Sequence, residues 1–205
     1  QFEKYFFQMS RLMANLAIPL FVFMASNAPL IFDLVLTEKW AEAVLPFQAL
    51  CVIGGLRLAT ILTPQALNAL NHPEKNLATN ILCVALLPVG FYFGAKHGIA
   101  GVAYAWLLLY PWCEWYRAVV MARALQCSLA QYLAAFKTQF ALLFVQAAAQ
   151  IAGIRWLAPH VAAPLLLLAL QALMATGLLL LVIKYLYPGL LSNPKRYLRE
   201  AAASL

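Results

Sequence analysis

The sequence predicts an all-α, polytopic membrane protein: a bundle of about six transmembrane helices with both termini in the cytoplasm. The chain has 205 residues, of which 65% are hydrophobic and only 10% are charged, whereas about a quarter of the residues in a typical soluble domain are charged. Its mean hydropathy is +0.81. Long apolar runs recur along the chain, and each approaches the ~20 residues with which a helix crosses a hydrocarbon layer of ~30 Å.

Six apolar segments are predicted to span the membrane, separated by short polar breaks. The breaks are "TEKW" at 37–40, "NHPEKN" at 71–76, "KHG" at 96–98, "QCS" at 126–128 and "APH" at 158–160, and they contain the turn-forming residues that interrupt helices. Thr37 in the first break is a candidate N-cap. The predicted spans are 12–36, 43–70, 77–95, 99–121, 133–158 and 161–187.

The distribution of Lys and Arg predicts the orientation of these spans, because cytoplasmic loops retain positive charge. Of the 14 basic residues, Lys39, Lys96 and Arg155 fall in loops on one side and Arg57 lies inside a span. The other ten fall on the side of the termini, which we therefore expect to be cytoplasmic. These ten are Lys4, Arg11, Lys75, Arg117, Arg123, Lys137, Lys184, Lys195, Arg196 and Arg199.

The domain organisation follows from the short breaks, none of which is long enough to form a separate domain. Residues 1–205 are predicted to be a single transmembrane helical domain, with a cytoplasmic tail at 188–205 in which a short helix begins after Asn193. The start of the chain, "QFEKYFFQMSR", lacks an initiator Met and the features of a signal peptide. We expect it to be a fragment that lacks an N-terminal part.

Prolines inside the predicted spans predict kinked helices, because each removes a backbone donor and clashes with the preceding turn. Such kinks can act as hinges or as static packing features. The prolines concerned are Pro19, Pro29, Pro46, Pro64, Pro88 and Pro111.

Catalytic, metal and nucleic-acid sites find no support in the sequence. The four cysteines lack the spacing of a metal site, and the three histidines occur singly in different loops. No nucleophile and base pair, Gly-rich phosphate loop or acidic pair is recognisable. The basic residues are dispersed between spans, whereas nucleic-acid binding would gather them on one face. We expect neither enzymatic activity nor a cofactor or metal.

The first part of the chain carries a recognisable order of motifs. A charged, aromatic lead-in precedes a span with the central Pro19, a second break follows near Pro29, and an "EKW" loop leads to a span with "LR" at its centre and "ALN" before a polar turn. In this order and spacing, residues 3–76 resemble the start of the C-terminal part of polysaccharide-transport flippases in the multidrug/oligosaccharidyl-lipid/polysaccharide exporter superfamily. The later spans are similar in length, spacing and the opening "GIAGVAYAW" at 98–106, whereas Thr37 replaces the Gly expected before "EKW".

The resemblance implies that the chain is the C-terminal part of a larger, two-lobed helical transporter. Such proteins move lipid-linked oligosaccharides, the precursors of polysaccharide or O-antigen, across the bacterial inner membrane by alternating access. The implied partners are an undecaprenyl-diphosphate-linked oligosaccharide, membrane lipids and the missing N-terminal lobe.

Two other functions are compatible with the same pattern. One is a drug or metabolite exporter of the same superfamily, which would have a smaller cavity with an intramembrane acid. The other is a non-transport membrane protein of envelope polysaccharide synthesis, which would cluster reactive side chains at one interface. Arg57, together with the lack of a central Asp or Glu in the predicted spans, favours the flippase.

Arg57 is the main candidate for substrate binding, since guanidinium geometry suits the oxygens of a lipid-linked diphosphate. The alternative is a structural charge, paired with a carboxylate or with carbonyls freed near Pro64. Contact with lipid would cost ~2.5–3.5 kcal/mol by insertion scales. Helical spacing places Thr60 and Asn68 near Arg57 on a stripe that is either wet or packed closely against another helix, with Gln65 slightly off it.

Two acids are candidates for coupling or gating. Glu114 precedes Arg117 by three residues on the fourth span, a spacing that permits a pair on one helix. With Trp112, Trp115 and Tyr116 nearby, it reads as an anchor at the cytoplasmic boundary, or else as a proton-coupling site. Asp33 is expected at the periplasmic rim, or in a gating or ion-coupling role.

Overall fold

The computed structural model describes residues 2–36, 38–161 and 163–186, and within these ranges the chain is helical without a strand. The predicted all-α class is thereby confirmed. A 3₁₀ helix at Glu38–Ala43 precedes α3. The α-helices are α1 Phe2–Ser26, α2 Ala28–Val35, α3 Val44–Ala59, α4 Thr63–Ala69, α5 Pro73–Ala95, α6 Gly98–Ala124, α7 Leu129–Ala134, α8 Lys137–Leu157 and α9 Pro164–Leu186. Thr37 and the predicted tail helix lie outside the described residues.

Five helical segments in the described ranges are long and apolar enough to cross a membrane: Phe2–Ser26, Lys39–Ala69, Pro73–Ala95, Lys137–Leu157 and Pro164–Tyr185. The predicted span at 99–121 coincides with α6, which has 27 residues but is not among the five. Its tyrosines, tryptophans and charged pair lower its hydropathy. The count of six spans therefore remains a prediction, as does the placement of both termini in the cytoplasm, whereas the multi-pass membrane character is supported.

Two of the predicted spans are broken at prolines. The predicted span at 12–36 consists of α1, which begins at Phe2, and α2, with Asn27 between them. Pro29 has no N–H group for the carbonyl of Ala25, and Nε2 of Gln48 on α3 donates to that carbonyl instead, at 2.9 Å. Three further prolines, Pro19, Pro88 and Pro111, lie inside continuous helices.

The second break separates α3 from α4 at residues 60–62. Pro64 cannot donate to the carbonyl of Thr60, which accepts from the backbone N–H of Thr63 at 3.0 Å. This three-residue closure tightens the chain into a turn. The predicted span at 43–70 is therefore two helices rather than one kinked helix, whereas Pro46 lies in the first turn of α3, where no donor is required.

The helices pack around α1, which contacts α3, α8 and α9. α3 also packs against α6, and α6 pairs with α5. The α5–α6 contact is close because Gly94 and Gly101 face each other: a Cβ on Gly94 would lie 2.5 Å from the carbonyl oxygen of Gly101. Small residues permit this approach of two backbones in a membrane.

A hydrophobic cluster joins α1, α4, α6 and α7 at the end of the bundle that is predicted to be cytoplasmic. Phe6, Leu67, Met121 and Tyr132 are buried together there. Burial raises the pKa of the Tyr132 phenol to about 12, so the ring remains neutral. A capping box between Ser128 and Gln131 fixes the start of α7.

The outer surfaces of the long helices are apolar. Val84 on α5, Leu108 on α6 and Phe144 on α8 are 71%, 69% and 72% exposed. Apolar surface on this scale suits contact with lipid acyl chains, and it agrees with a multi-pass membrane protein.

Candidate functional site

Arg57 lies in the last turn of α3, and its side chain is exposed on the surface of the bundle. Among the described residues, its guanidinium group has no hydrogen-bond or ion-pair partner. The alternative prediction for Arg57 is a structural charge that pairs with a carboxylate or with freed carbonyls. The described residues show no such pairing. A cation within a helical segment of membrane-spanning length is left with its hydrogen-bonding capacity unused.

Thr60 occupies the turn after Arg57 and bonds to the end of α3. Its hydroxyl group donates to the carbonyl of Leu56 at 3.0 Å and shares a longer contact, 3.4 Å, with the carbonyl of Arg57. The carbonyl of Leu56 also accepts from the backbone N–H of Thr60 at 3.1 Å, so the hydroxyl adds a second bond that reinforces the last turn of α3. Thr60 thus stabilises the break that follows Arg57, and its hydroxyl proton is already donated to the backbone.

Asn68 and Gln65 are exposed on α4. Oδ1 of Asn68 accepts from Nδ2 of Asn76 on α5 at 3.1 Å, and Oδ1 of Asn76 is 3.5 Å from Nδ2 of Asn80. This amide ladder extends the polar surface of α4 onto α5. Sequence reasoning identified Asn68 but missed Asn76 and Asn80, whose spacing of four residues places them on one side of α5.

Glu114 and Arg117 form a buried ion pair on α6. Nη1 of Arg117 is 2.6 Å from Oε1 of Glu114, with side-chain exposures of 12% and 9%. Nη2 of Arg117 also lies 3.9 Å from Sγ of Cys83 on α5. Oε2 of Glu114 and Nε of Arg117 are buried without a hydrogen-bond partner among the described residues. The pair allowed by the i,i+3 spacing thus exists, and it contacts α5.

The two candidate acids, Glu114 and Asp33, lie in different surroundings. Trp112, Trp115 and Tyr116 are exposed on α6 near the ion pair, as expected of aromatic residues at a membrane boundary. Asp33 lies exposed near the end of α2 and forms no ion pair among the described residues.

A row of buried amides joins α1, α8 and α9, and sequence reasoning missed it. We define this amide seam as Asn15, Asn27, Gln139, Gln146, Gln150 and Gln171, all buried. Nε2 of Gln139 donates to Oδ1 of Asn15 at 3.1 Å, and Nδ2 of Asn27 donates to Oε1 of Gln150 at 3.1 Å. Nε2 of Gln150 donates onward to the backbone carbonyl of Gln171, also at 3.1 Å.

Several atoms of the amide seam have no partner among the described residues. Both side-chain polar atoms of Gln146 and of Gln171 are unpaired, as are Oε1 of Gln139 and Oδ1 of Asn27. Gly153 leaves room for Gln171, since a Cβ on Gly153 would lie 2.7 Å from its Nε2 atom. The amide seam could have been predicted from a pattern in the sequence. One face of α8 carries three glutamines and a glycine at helical spacing: Gln139, Gln146, Gln150 and Gly153.

Two substitutions in the amide seam are expected to change stability in opposite directions. Gln146→Leu removes two unpaired buried atoms and should stabilise the protein by about 1–3 kcal/mol. Gln150→Leu removes two bonds between distant segments, of a kind that averages ~0.6 kcal/mol each in membranes, and leaves the Asn27 amide with only its bond to the carbonyl of Phe23, so it should destabilise. Unfolding of the two variants in detergent measures both effects. Destabilisation by Gln146→Leu equal to that by Gln150→Leu would contradict this account.

The described residues contain no group of three or more His, Cys, Asp or Glu side chains that could hold a metal ion. The four cysteines are free thiols, two of them buried. Comparison of the chain with protein-family profiles, with curated proteins and with solved structures finds no match. The similarity of residues 3–76 to flippases therefore stays a prediction from the sequence.

Proposed function

We propose that this chain is one lobe of a flippase that translocates lipid-linked oligosaccharide across the bacterial inner membrane by alternating access. The observation that carries the proposal is Arg57, an exposed and unpaired cation within the segment Lys39–Ala69. A second helical lobe covers this cation in the working transporter. The cavity between the two lobes is aqueous and receives the diphosphate of the undecaprenyl carrier.

A charge such as that of Arg57 is costly inside a membrane. Placing Arg at the centre of a helix in lipid costs ~2.5–3.5 kcal/mol by insertion scales and far more in simulations. A carboxylate partner would lower this cost, but none contacts Arg57 among the described residues. A watery cavity that admits an anionic substrate removes the cost and gives the charge a role, because guanidinium binds phosphate oxygens in a bidentate manner.

A drug exporter driven by cations would need an intramembrane acid that is free to bind the cation. Glu114 is the buried acid in the described part of α6, and its Oε1 is 2.6 Å from Nη1 of Arg117. Its charge is therefore already balanced. The unpaired cation at Arg57 and the balanced acid at Glu114 together favour an anionic substrate over a cationic one.

The test is a transport assay with the complete protein reconstituted into proteoliposomes. Fluorescent undecaprenyl-diphosphate-linked oligosaccharide should move between leaflets and become accessible to a glycan-binding protein on the other side, faster than in protein-free vesicles. A lipophilic cationic dye should not be moved. Transport of the dye without transport of the lipid-linked oligosaccharide would instead establish the exporter.

A further inference from the structure

A groove opens at the end of the bundle opposite the hydrophobic cluster of Phe6 and Tyr132, where α1 and α8 end and α3 begins. Its volume is about 590 Å³, and the side chains of α6 form a further wall. Its polar lining includes Ser26, Gln48, Tyr104 and Arg155, whereas Val52, Leu107 and Ile151 contribute to its apolar lining. It contains none of the residues proposed to bind the oligosaccharide diphosphate.

Polarity changes along the depth of this groove. Arg155 lies two residues before the last residue of α8, and Ser26 is the last residue of α1. Leu107 lies nine residues into α6 and Val52 eight residues into α3, which places them about 12–14 Å from the helix ends at 1.5 Å per residue. Arg155 and Ser26 thus lie at the mouth, Gln48 and Tyr104 lie four and six residues from the starts of α3 and α6, and Val52 and Leu107 lie deeper.

The groups at the mouth suit a phosphate ester. Arg155 is exposed and forms no ion pair among the described residues, and guanidinium is a strong ligand for phosphate. Tyr104 is half exposed and offers a hydroxyl group. Gln48 is held by its bond to the carbonyl of Ala25 at 2.9 Å, which fixes one wall of the groove.

We propose that this groove binds an anionic phospholipid, with the phosphate on Arg155 and one acyl chain along Val52, Leu107 and Ile151. The choice of occupant follows from the location and the charge of the groove. The walls formed by α1, α3 and α8 belong to helical segments of membrane-spanning length, so lipid is the solvent around the groove, and its charged lining residue is a cation at headgroup depth. The groove has its cation at the mouth and apolar side chains deeper inside. A phospholipid that enters with its acyl chain first places its phosphate and its chain in the same order.

The experiment uses the full chain purified in detergent and measures retained lipid by native mass spectrometry. The chain is supplied with equal amounts of phosphatidylglycerol and phosphatidylcholine. We expect phosphatidylglycerol to be preferred, and we expect Arg155→Gln to reduce that preference about fivefold. Ile151→Trp, which fills the apolar part without changing charge, should reduce retention of both lipids.

Two controls separate the groove from general attraction of anions. Lys96→Gln removes a cation from another loop predicted on the same side and should leave the preference unchanged. Inorganic phosphate at millimolar concentration should not displace the lipid, because it lacks the chain. The proposal is overturned if Arg155→Gln retains the full preference, if Lys96→Gln weakens it equally, or if phosphate alone displaces the lipid. None of these results depends on transport of oligosaccharide.

Discussion

Replacing Arg57 by Ala is expected to abolish transport of lipid-linked oligosaccharide while leaving the protein folded. The side chain is exposed and has no partner among the described residues, so its removal breaks no internal bond. The loss falls on the substrate, because each hydrogen bond between a guanidinium and a phosphate contributes about 1.5–3 kcal/mol. The measurement is the initial rate of flipping in proteoliposomes containing the complete protein, at equal protein content.

Two further variants define what Arg57 contributes. Arg57→Lys keeps the charge but loses the planar fork of donors, so we expect a partial rate. Arg123→Ala removes an exposed cation near the end of α6 and should leave the rate unchanged, which controls for the net charge of the protein. Wild-type transport by Arg57→Ala, with unaltered expression and unfolding temperature, would refute a role for this residue in substrate binding.

The helical spans could be predicted from hydropathy because length and apolarity are properties of the local sequence. Pro29 and Pro64 mark where two of the spans are interrupted, but they do not predict the form of the interruption, since it depends on neighbouring residues. Pro29 predicts a kink, but the break at Asn27 is stabilised by Gln48 from another helix, 2.9 Å from the carbonyl of Ala25. At Pro64 the chain turns because the N–H of Thr63 donates to the carbonyl of Thr60, which Pro64 leaves without a helical donor.

The candidate site shows the same division between local and distant information. The pair of Glu114 and Arg117 follows from a spacing of three residues and exists at 2.6 Å. The contact of Arg117 with Cys83 joins two helices and has no signature in the sequence. The amide seam was missed because single glutamines are diluted in long apolar runs, and because the bonds from Gln139 to Asn15 and from Asn27 to Gln150 connect residues more than a hundred positions apart.

Replacing Arg117 by Ala is expected to destabilise the protein by about 3–5 kcal/mol, because it leaves the carboxylate of Glu114 buried without its partner. The side chains of both residues are nearly buried, and Oε2 of Glu114 already lacks a partner among the described residues. The measurement is unfolding in detergent. The double variant Glu114→Gln with Arg117→Met removes both charges and should recover most of the loss, since an apolar replacement of a buried pair is often neutral.

The same double variant also distinguishes an anchoring role of Glu114 from a coupling role. If the pair is structural, flipping by the double variant should follow the amount of folded protein and retain the wild-type dependence on the proton gradient. If Glu114 carries protons, the double variant would be as stable as the wild type yet insensitive to that gradient. We expect the first result, because the carboxylate of Glu114 is already engaged by the guanidinium group of Arg117 at 2.6 Å, and a Glu114 side chain that left this contact would leave Arg117 unpaired in a nearly buried position. A stable double variant that no longer responds to the gradient would assign the coupling step to α6.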